Sequence, residues 1–90
     1  MLSRTELIAS LLDAVKGVQV ASGRSSDGIH SSSHIFGDID GFDSLNALEM
    51  LVTVGTMLNN ELPDELLAPM TDGSWPTVSD LADRILAGGG

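Results

Sequence analysis

Three stretches of the chain carry apolar residues at helical spacing, and each opens on residues suited to start a helix. Ser3-Arg4-Thr5-Glu6 is a capping box, in which the serine hydroxyl takes the amide of Glu6 and the glutamate reaches back. Behind it Leu7, Ile8, Leu11, Leu12, Val15 and Val18 line one face, and the helix is expected to fray between Gly17 and Ser22. A second helix starts at Asp43 or Ser44 and runs to about Asn59. A third follows a second capping box, Thr77-Val78-Ser79-Asp80, with Val78, Leu81, Ala82, Ile85 and Leu86 on one stripe. Gly88 closes it, and residues 88–90 read as a flexible glycine tail. Between the last two helices, Pro63-Asp64 opens a short helical turn to about Leu67, and Pro69, Gly73 and Pro76 then break the chain. No segment reads as a convincing strand, and there is no internal repeat. The expectation is an all-α fold: a three- to four-helix bundle with a long loop between the first and second helices, in one domain over residues 1–87.

Ninety residues allow one small core and little room for a buried catalytic cleft. With 42% hydrophobic residues the chain should fold, and with two phenylalanines, one tryptophan and no tyrosine its core is mostly aliphatic. The absence of cysteine excludes a disulfide framework and thiolate metal sites, and fits a cytoplasmic protein. Glu6, Asp13 and Lys16 interrupt the apolar residues near the N-terminus, so no signal peptide is read there. No apolar run approaches the roughly 18 residues a membrane span needs.

The net charge is −9, and it is localised. From Ser25 to Asp83 there is no lysine or arginine, but eleven acids: Asp27, Asp38, Asp40, Asp43, Glu49, Glu61, Asp64, Glu65, Asp72, Asp80 and Asp83. Such a surface repels nucleic acid and anionic membranes and attracts basic patches on partner proteins. The same charge also serves simply to keep a small monomer soluble.

Residues 22–43 form a connection long enough to call for a functional reason. Its first half is Ser/Gly-rich and expected to be mobile, while Ile35, Phe36, Ile39 and Phe42 should pin its second half to the core. In the second helix Leu45, Leu48, Met50, Leu51, Val52, Val54, Met57 and Leu58 occupy most of the circumference. Not all can be buried in a domain this small, so an apolar strip beside acids is expected at the surface as a docking face. Gly55 in the helix interior costs about 1 kcal/mol against alanine, which close packing against another helix would explain.

Candidate chemistry is sparse. His30 and His34 are four apart but lie in a serine-rich loop with no evident third ligand. Asp38-Ile39-Asp40-Gly41 hints at a calcium loop, yet counting from Asp38 places Phe42 at position 5 and Asp43 where the sharp turn needs glycine. Ser44 lies in GFDSL, not in a G-x-S-x-G elbow, and no histidine is placed to serve as its base. No carboxylates pair at a spacing that points to acid–base work. The chain therefore does not read as an enzyme, and Ser44 reads as a target of modification.

Gly41-Phe42-Asp43-Ser44-Leu45 resembles the G-x-D-S-L signature of acyl carrier proteins and their peptidyl-carrier relatives. Leu48-Glu49-Met50 resembles the family's apolar–Glu–apolar run, Glu61-Leu62-Pro63-Asp64 its E-[IL]-P-D segment, and Thr77-Val78-Ser79-Asp80-Leu81 its T-V-x-D-L opening of the final helix. The match covers nearly the whole chain in order. It implies that the Ser44 hydroxyl receives 4′-phosphopantetheine from coenzyme A, and that the terminal thiol of this arm carries an acyl or aminoacyl group as a thioester. Asp43, besides capping the helix, would help bind the metal of the modifying enzyme, and Gly41 would leave the approach to Ser44 clear. Leu45, Leu48 and Val52 would face partner enzymes, and Glu49 would meet a partner's basic residue. Met50, Leu51 and Val54 would lean toward the core and any sequestered acyl chain. Implied partners are a phosphopantetheinyl transferase, an acyl- or aminoacyl-loading ligase, and a downstream transferase or synthase with a basic docking patch. Nucleic acid and membrane insertion are not expected, and the carrier is read as a monomer.

The second helix departs from fatty-acid carriers, with only Glu49 as an acid before Glu61 and with Gly55, Thr56 and Met57 where carboxylates are common. The stretch from Asp64 to Thr77 is also longer than usual and contains Trp75-Pro76. These differences point to a stand-alone carrier in a dedicated pathway. The alternative is an unmodified acidic adaptor that binds partners through its second helix.

Overall fold

The computed structural model describes residues 3–88 and holds three α-helices and one helical turn: α1 (Arg4–Ala21), α2 (Ser44–Leu58), a 3-10 turn (Asp64–Leu67) and α3 (Val78–Gly88). The fold is the expected all-α bundle. α1 packs against both α2 and α3, and the 3-10 turn touches α2 and α3. Among the described residues the only β-type pairing is an isolated antiparallel bridge between His34 and Thr77.

Each helix starts where its cap dictates. Ser3 Oγ accepts from the Glu6 amide at 3.2 Å, and Glu6 Oε1 accepts from the Ser3 amide at 3.0 Å. Thr77 and Asp80 make the same reciprocal pair at 3.1 and 2.9 Å. The next amides of α3 are satisfied by the long loop: Val78 donates to the Ser33 carbonyl and Ser79 to that of Ser31. Together with the Ile35 amide on the Pro76 carbonyl, these bonds fasten the middle of the loop to the start of α3.

α1 runs to Ala21, the far end of its expected fraying zone, and ends in a Schellman motif. Gly23 (φ +72°) donates to the Val20 carbonyl and Arg24 to that of Gln19, satisfying two terminal carbonyls. α2 ends the same way on Asn59, which takes the left-handed conformation (φ 54°) that asparagine tolerates; Asn59 donates to the Thr56 carbonyl and Asn60 to that of Gly55. This turn explains Gly55. A β-carbon there would lie 2.7 Å from the Asn60 carbonyl oxygen, so the glycine makes room for the chain's own reversal, not for another helix.

The core is aliphatic, as composition requires. Leu7, Leu11 and Val15 of α1 meet Met50, Leu51 and Val54 of α2, Val78, Leu81 and Ile85 of α3, and Ile35 and Ile39 of the loop. Two expectations for α3 need correction. Leu86 is about half exposed and lies off the buried stripe of α3. Gly88 is the last residue of that helix and not part of a tail; residues 89–90 lie outside the described residues. The first half of the long loop is also better anchored than its serines and glycines indicate, since Ile29 is buried and His30 donates its amide to Ser33 Oγ.

Candidate functional site

The loop–helix junction that presents Ser44 is built from a short series of hydrogen bonds. Asp43 is the N-cap of α2, in extended conformation, and its Oδ1 accepts from the Asn46 amide at 2.9 Å. Asn46 Oδ1 returns the bond by accepting from the Asp43 amide at 3.3 Å. Asparagine thus fills the place glutamate or glutamine usually takes in a capping box. Ser44, the first residue of the helix, is exposed, as are Asp43 and Gly41. Phe42 is buried between them and anchors the turn.

Gly41 has φ +64°, a conformation L side chains rarely adopt, and a β-carbon there would fall 2.4 Å from Arg24 Cδ. The turn's positive φ calls for glycine, and the Arg24 side chain lies across it. Arg24 Nη2 donates to Asn46 Oδ1 at 2.6 Å, and its Nε donates to Gln19 Oε1 at 3.3 Å. Gln19 is fully buried and spends its amide nitrogen on two carbonyls, Asp40 at 2.6 Å and Ser25 at 3.0 Å. A polar side chain buried to this degree costs several kcal/mol unless it is paired, and here both of its ends are.

Beside Ser44 lies an open groove of about 430 Å³, lined chiefly by Phe36, Leu48, Leu67, Pro69 and Trp75, with Asp64 and Glu65 at its acidic side. A larger groove of about 530 Å³ runs along the far end of α2, past Gly55, Asn59 and Leu62. We place the candidate site at the smaller one, because it alone combines an exposed hydroxyl on a capped helix start with an apolar wall.

The second helix divides into two faces as its pattern requires. Ala47, Met50, Leu51 and Val54 are buried, while Leu45, Leu48 and Val52 are 64%, 42% and 68% exposed and lie on the opposite side. Glu49 is exposed next to that strip. The sequence-predicted residues Gly41, Asp43 and Ser44 therefore meet at one turn, and Leu45, Leu48, Glu49 and Val52 continue from it along one surface.

The histidines are occupied locally. The His34 amide donates to Asp38 Oδ2 at 2.9 Å and its Nδ1 meets the same oxygen at 2.6 Å, which together hold the Asp38 carboxyl below the usual aspartate range. His30 Nδ1 bonds Ser32 Oγ at 2.8 Å. Among the described residues, no three His, Asp or Glu side chains come together to hold a metal ion. None of their helices is long and apolar enough to cross a membrane.

Sequence reasoning missed Arg24, Gln19 and the second role of Asn46. One signal was present: Arg24 is the only cation between Lys16 and Arg84. The other arginines are also engaged, Arg4 with Asp83 at 2.7 Å and Arg84 with the Leu66 and Ala68 carbonyls, both at 2.7 Å.

Neither the family models, nor the curated proteins, nor the solved structures compared with this chain give a match. The functional reading therefore rests on the motifs and on this geometry.

Proposed function

We propose that the protein is a carrier that holds an acyl or aminoacyl group on a 4′-phosphopantetheine arm attached to Ser44 and presents it to partner enzymes. The observation that carries this reading is the setting of Ser44: an exposed hydroxyl on the first residue of a capped helix, with an apolar groove on one side and the exposed strip Leu45, Leu48 and Val52 leading away from it.

The residues present fit the group. A phosphodiester on Ser44 would meet the amide end of α2, where the helix dipole favours negative charge. The pantetheine portion, with its methyl groups and amides, would find Leu48, Leu67 and Trp75 within the groove. When bound, the arm supplies a terminal thiol that carries cargo as a thioester. The contribution of this chain is to present, orient and be recognised. Asp43 fixes the turn and with it the direction of the Ser44 Cα–Cβ bond. In the transfer, Ser44 Oγ forms a bond to the pantetheine-side phosphorus of coenzyme A, the bond from that phosphorus to the adenosine bisphosphate breaks, and the serine proton passes to a base of the transferase.

Leu45, Leu48 and Val52 then form the contact with the transferase, the loading ligase and the downstream synthase, and the acids around them steer basic partners at rates that fall with salt. In this reading the protein itself is not an enzyme. The shortage of carboxylates on α2 and the long stretch from Asp64 to Thr77, with its Trp75-Pro76, support a dedicated pathway over bulk fatty-acid synthesis.

The test is intact mass after incubation with coenzyme A, magnesium and a broad-specificity phosphopantetheinyl transferase. The chain should gain one arm and Ser44→Ala none. A chain that gains nothing, or gains an arm at another residue, removes the proposal and leaves the unmodified adaptor.

A further inference from the structure

We infer that Arg24 is the positioning residue of the Ser44 site, acting through Asn46 to hold the loop–helix junction in the geometry that a transferase reads. The inference rests on Ser44 being the acceptor.

Three observations converge on Arg24. First, its own position is fixed by the backbone. It follows Gly23 in the Schellman motif that ends α1, where its amide is bonded to the Gln19 carbonyl at 2.8 Å. Second, its guanidinium forks between two acceptors on different elements, Gln19 Oε1 on α1 and Asn46 Oδ1 on α2. Third, its side chain packs directly on the turn before Ser44, with Cδ 2.4 Å from where a β-carbon of Gly41 would sit.

The consequence is mechanical. Asn46 lies two residues after Ser44, and its side-chain oxygen is the one that accepts from the Asp43 amide. Arg24 thus grips the side chain that closes the capping box around Ser44. Gln19, gripped by the other arm of the fork, holds the Asp40 carbonyl immediately before Gly41. Both chain segments that enter and leave the turn are tied to one planar cation, and α1 becomes the rigid reference for the serine. Lysine carries its three donors on one nitrogen instead of on a planar fork, so it holds the two acceptors with less directional control.

A group that only orients a reacting atom acts on turnover more than on docking, since an error on the order of 1 Å in a reacting atom costs up to about 100-fold in rate. The docking strip of α2 begins at Leu45 and runs away from the junction, so it stays available when Arg24 is lost. The experiment is steady-state transfer from coenzyme A by a phosphopantetheinyl transferase, on wild type, Arg24→Met, Arg24→Lys, Asn46→Ala and the Arg24→Met/Asn46→Ala double variant. All are assayed at a temperature where circular dichroism shows each one folded.

The expected result is a kcat lowered roughly tenfold or more in Arg24→Met with KM changed less than about threefold, Arg24→Lys between it and wild type, and no further loss when Arg24→Met is added to Asn46→Ala. Wild-type kinetics in folded Arg24→Met, a loss confined to KM, or losses that simply add in the double variant each overturn the inference while leaving Ser44 as the acceptor. A wild-type chain that is never modified overturns both, and is told apart by its unchanged mass. Should Arg24→Met not fold, Arg24→Lys carries the test alone: wild-type kcat in that variant overturns the inference, and a lowered kcat at constant KM upholds it.

Discussion

Phe36 and Trp75 stand edge to face, with ring centroids 5.0 Å apart and planes at 79°, and together they wall the groove beside Ser44. Phe36 comes from the long loop and Trp75 from the segment before α3, so this contact joins the two parts of the chain that the His34–Thr77 bridge also fastens. Trp75 is the only tryptophan, and it remains 43% exposed. An arm added at Ser44 would share its groove. Conversion by the transferase should therefore shift the wavelength or intensity of tryptophan emission in step with the mass change, and mock-treated Ser44→Ala should show no shift. Emission that stays constant through complete conversion would mean that the arm does not enter this groove.

The exposed strip on α2 predicts a separation of recognition from stability. Val52 is 68% exposed and Leu48 42%, so Val52→Asp should lower unfolding free energy by about 0.5 kcal/mol and Leu48→Asp, which also gives up its contacts in the groove, by about 1 kcal/mol. If they are anchors for partner enzymes, each should weaken binding by about 1–2 kcal/mol, a five- to thirty-fold rise in the transferase KM. Urea denaturation measures the first quantity and transfer kinetics the second. A strip that tolerates both changes without loss is not the docking face.

These residues also show what the sequence could and could not reveal. The capping boxes at Ser3 and Thr77 and the N-cap at Asp43 are local patterns, three residues across, and all appear where the pattern puts them. The division of α2 into a buried and an exposed face follows from helical periodicity plus a small core. Arg24 and Gln19 could not be read this way, because their partners lie on other elements: Asn46 is 22 positions from Arg24, and Asp40 is 21 from Gln19. Gly55 was legible as costly but not as explained, since its neighbour is the backbone of a turn whose path depends on Asn59 adopting a left-handed conformation. Leu86 was misplaced because Val78, Leu81, Ala82 and Ile85 already fill the buried stripe of this short helix.

Acid should expose the local pairings of Asp83 and Asp38. The Asp83 carboxyl is held below the usual aspartate range by the hydrogen bond and charge of Arg4, and Asp38 by its bonds from His34. A folded-state pKa below the unfolded one means stability that is present above the unfolded value, about 3.9, and lost as pH falls through the folded one. Both pairs are exposed, so the effect is small and screened by salt. The clean measurement is a difference: Asp83→Asn should be less stable than wild type at pH 6, and the gap should close below about pH 4. Repulsion among the other acids is common to both proteins and cancels, and repulsion between Asp83 and those acids is weakened by running the comparison at about 0.15 M salt. A gap that persists unchanged to pH 2 would show that Arg4 does not depress the Asp83 carboxyl.

Two helical glycines should answer the same substitution with opposite signs. Gly17 in α1 has nothing within 4 Å of where a β-carbon would sit, so Gly17→Ala should raise stability by about 0.5–1 kcal/mol, through helix propensity and a less disordered unfolded chain. Gly55 in α2 has the same intrinsic preference for replacement, but its β-carbon would press on the Asn60 carbonyl oxygen at 2.7 Å. That oxygen belongs to backbone, which can yield only by opening the turn in which Asn60 donates to the Gly55 carbonyl at 2.9 Å. Overpacking of this kind costs about 1–3 kcal/mol and outweighs the propensity gain, so Gly55→Ala should be destabilised and should loosen the entry to Glu61 and Leu62. Urea melts of the two variants give the signs directly, and amide exchange at Asn59 and Asn60 shows whether the loss in Gly55→Ala comes from the turn. A Gly55→Ala protein more stable than wild type would mean that the reversal after α2 relaxes freely and that steric crowding does not account for the glycine.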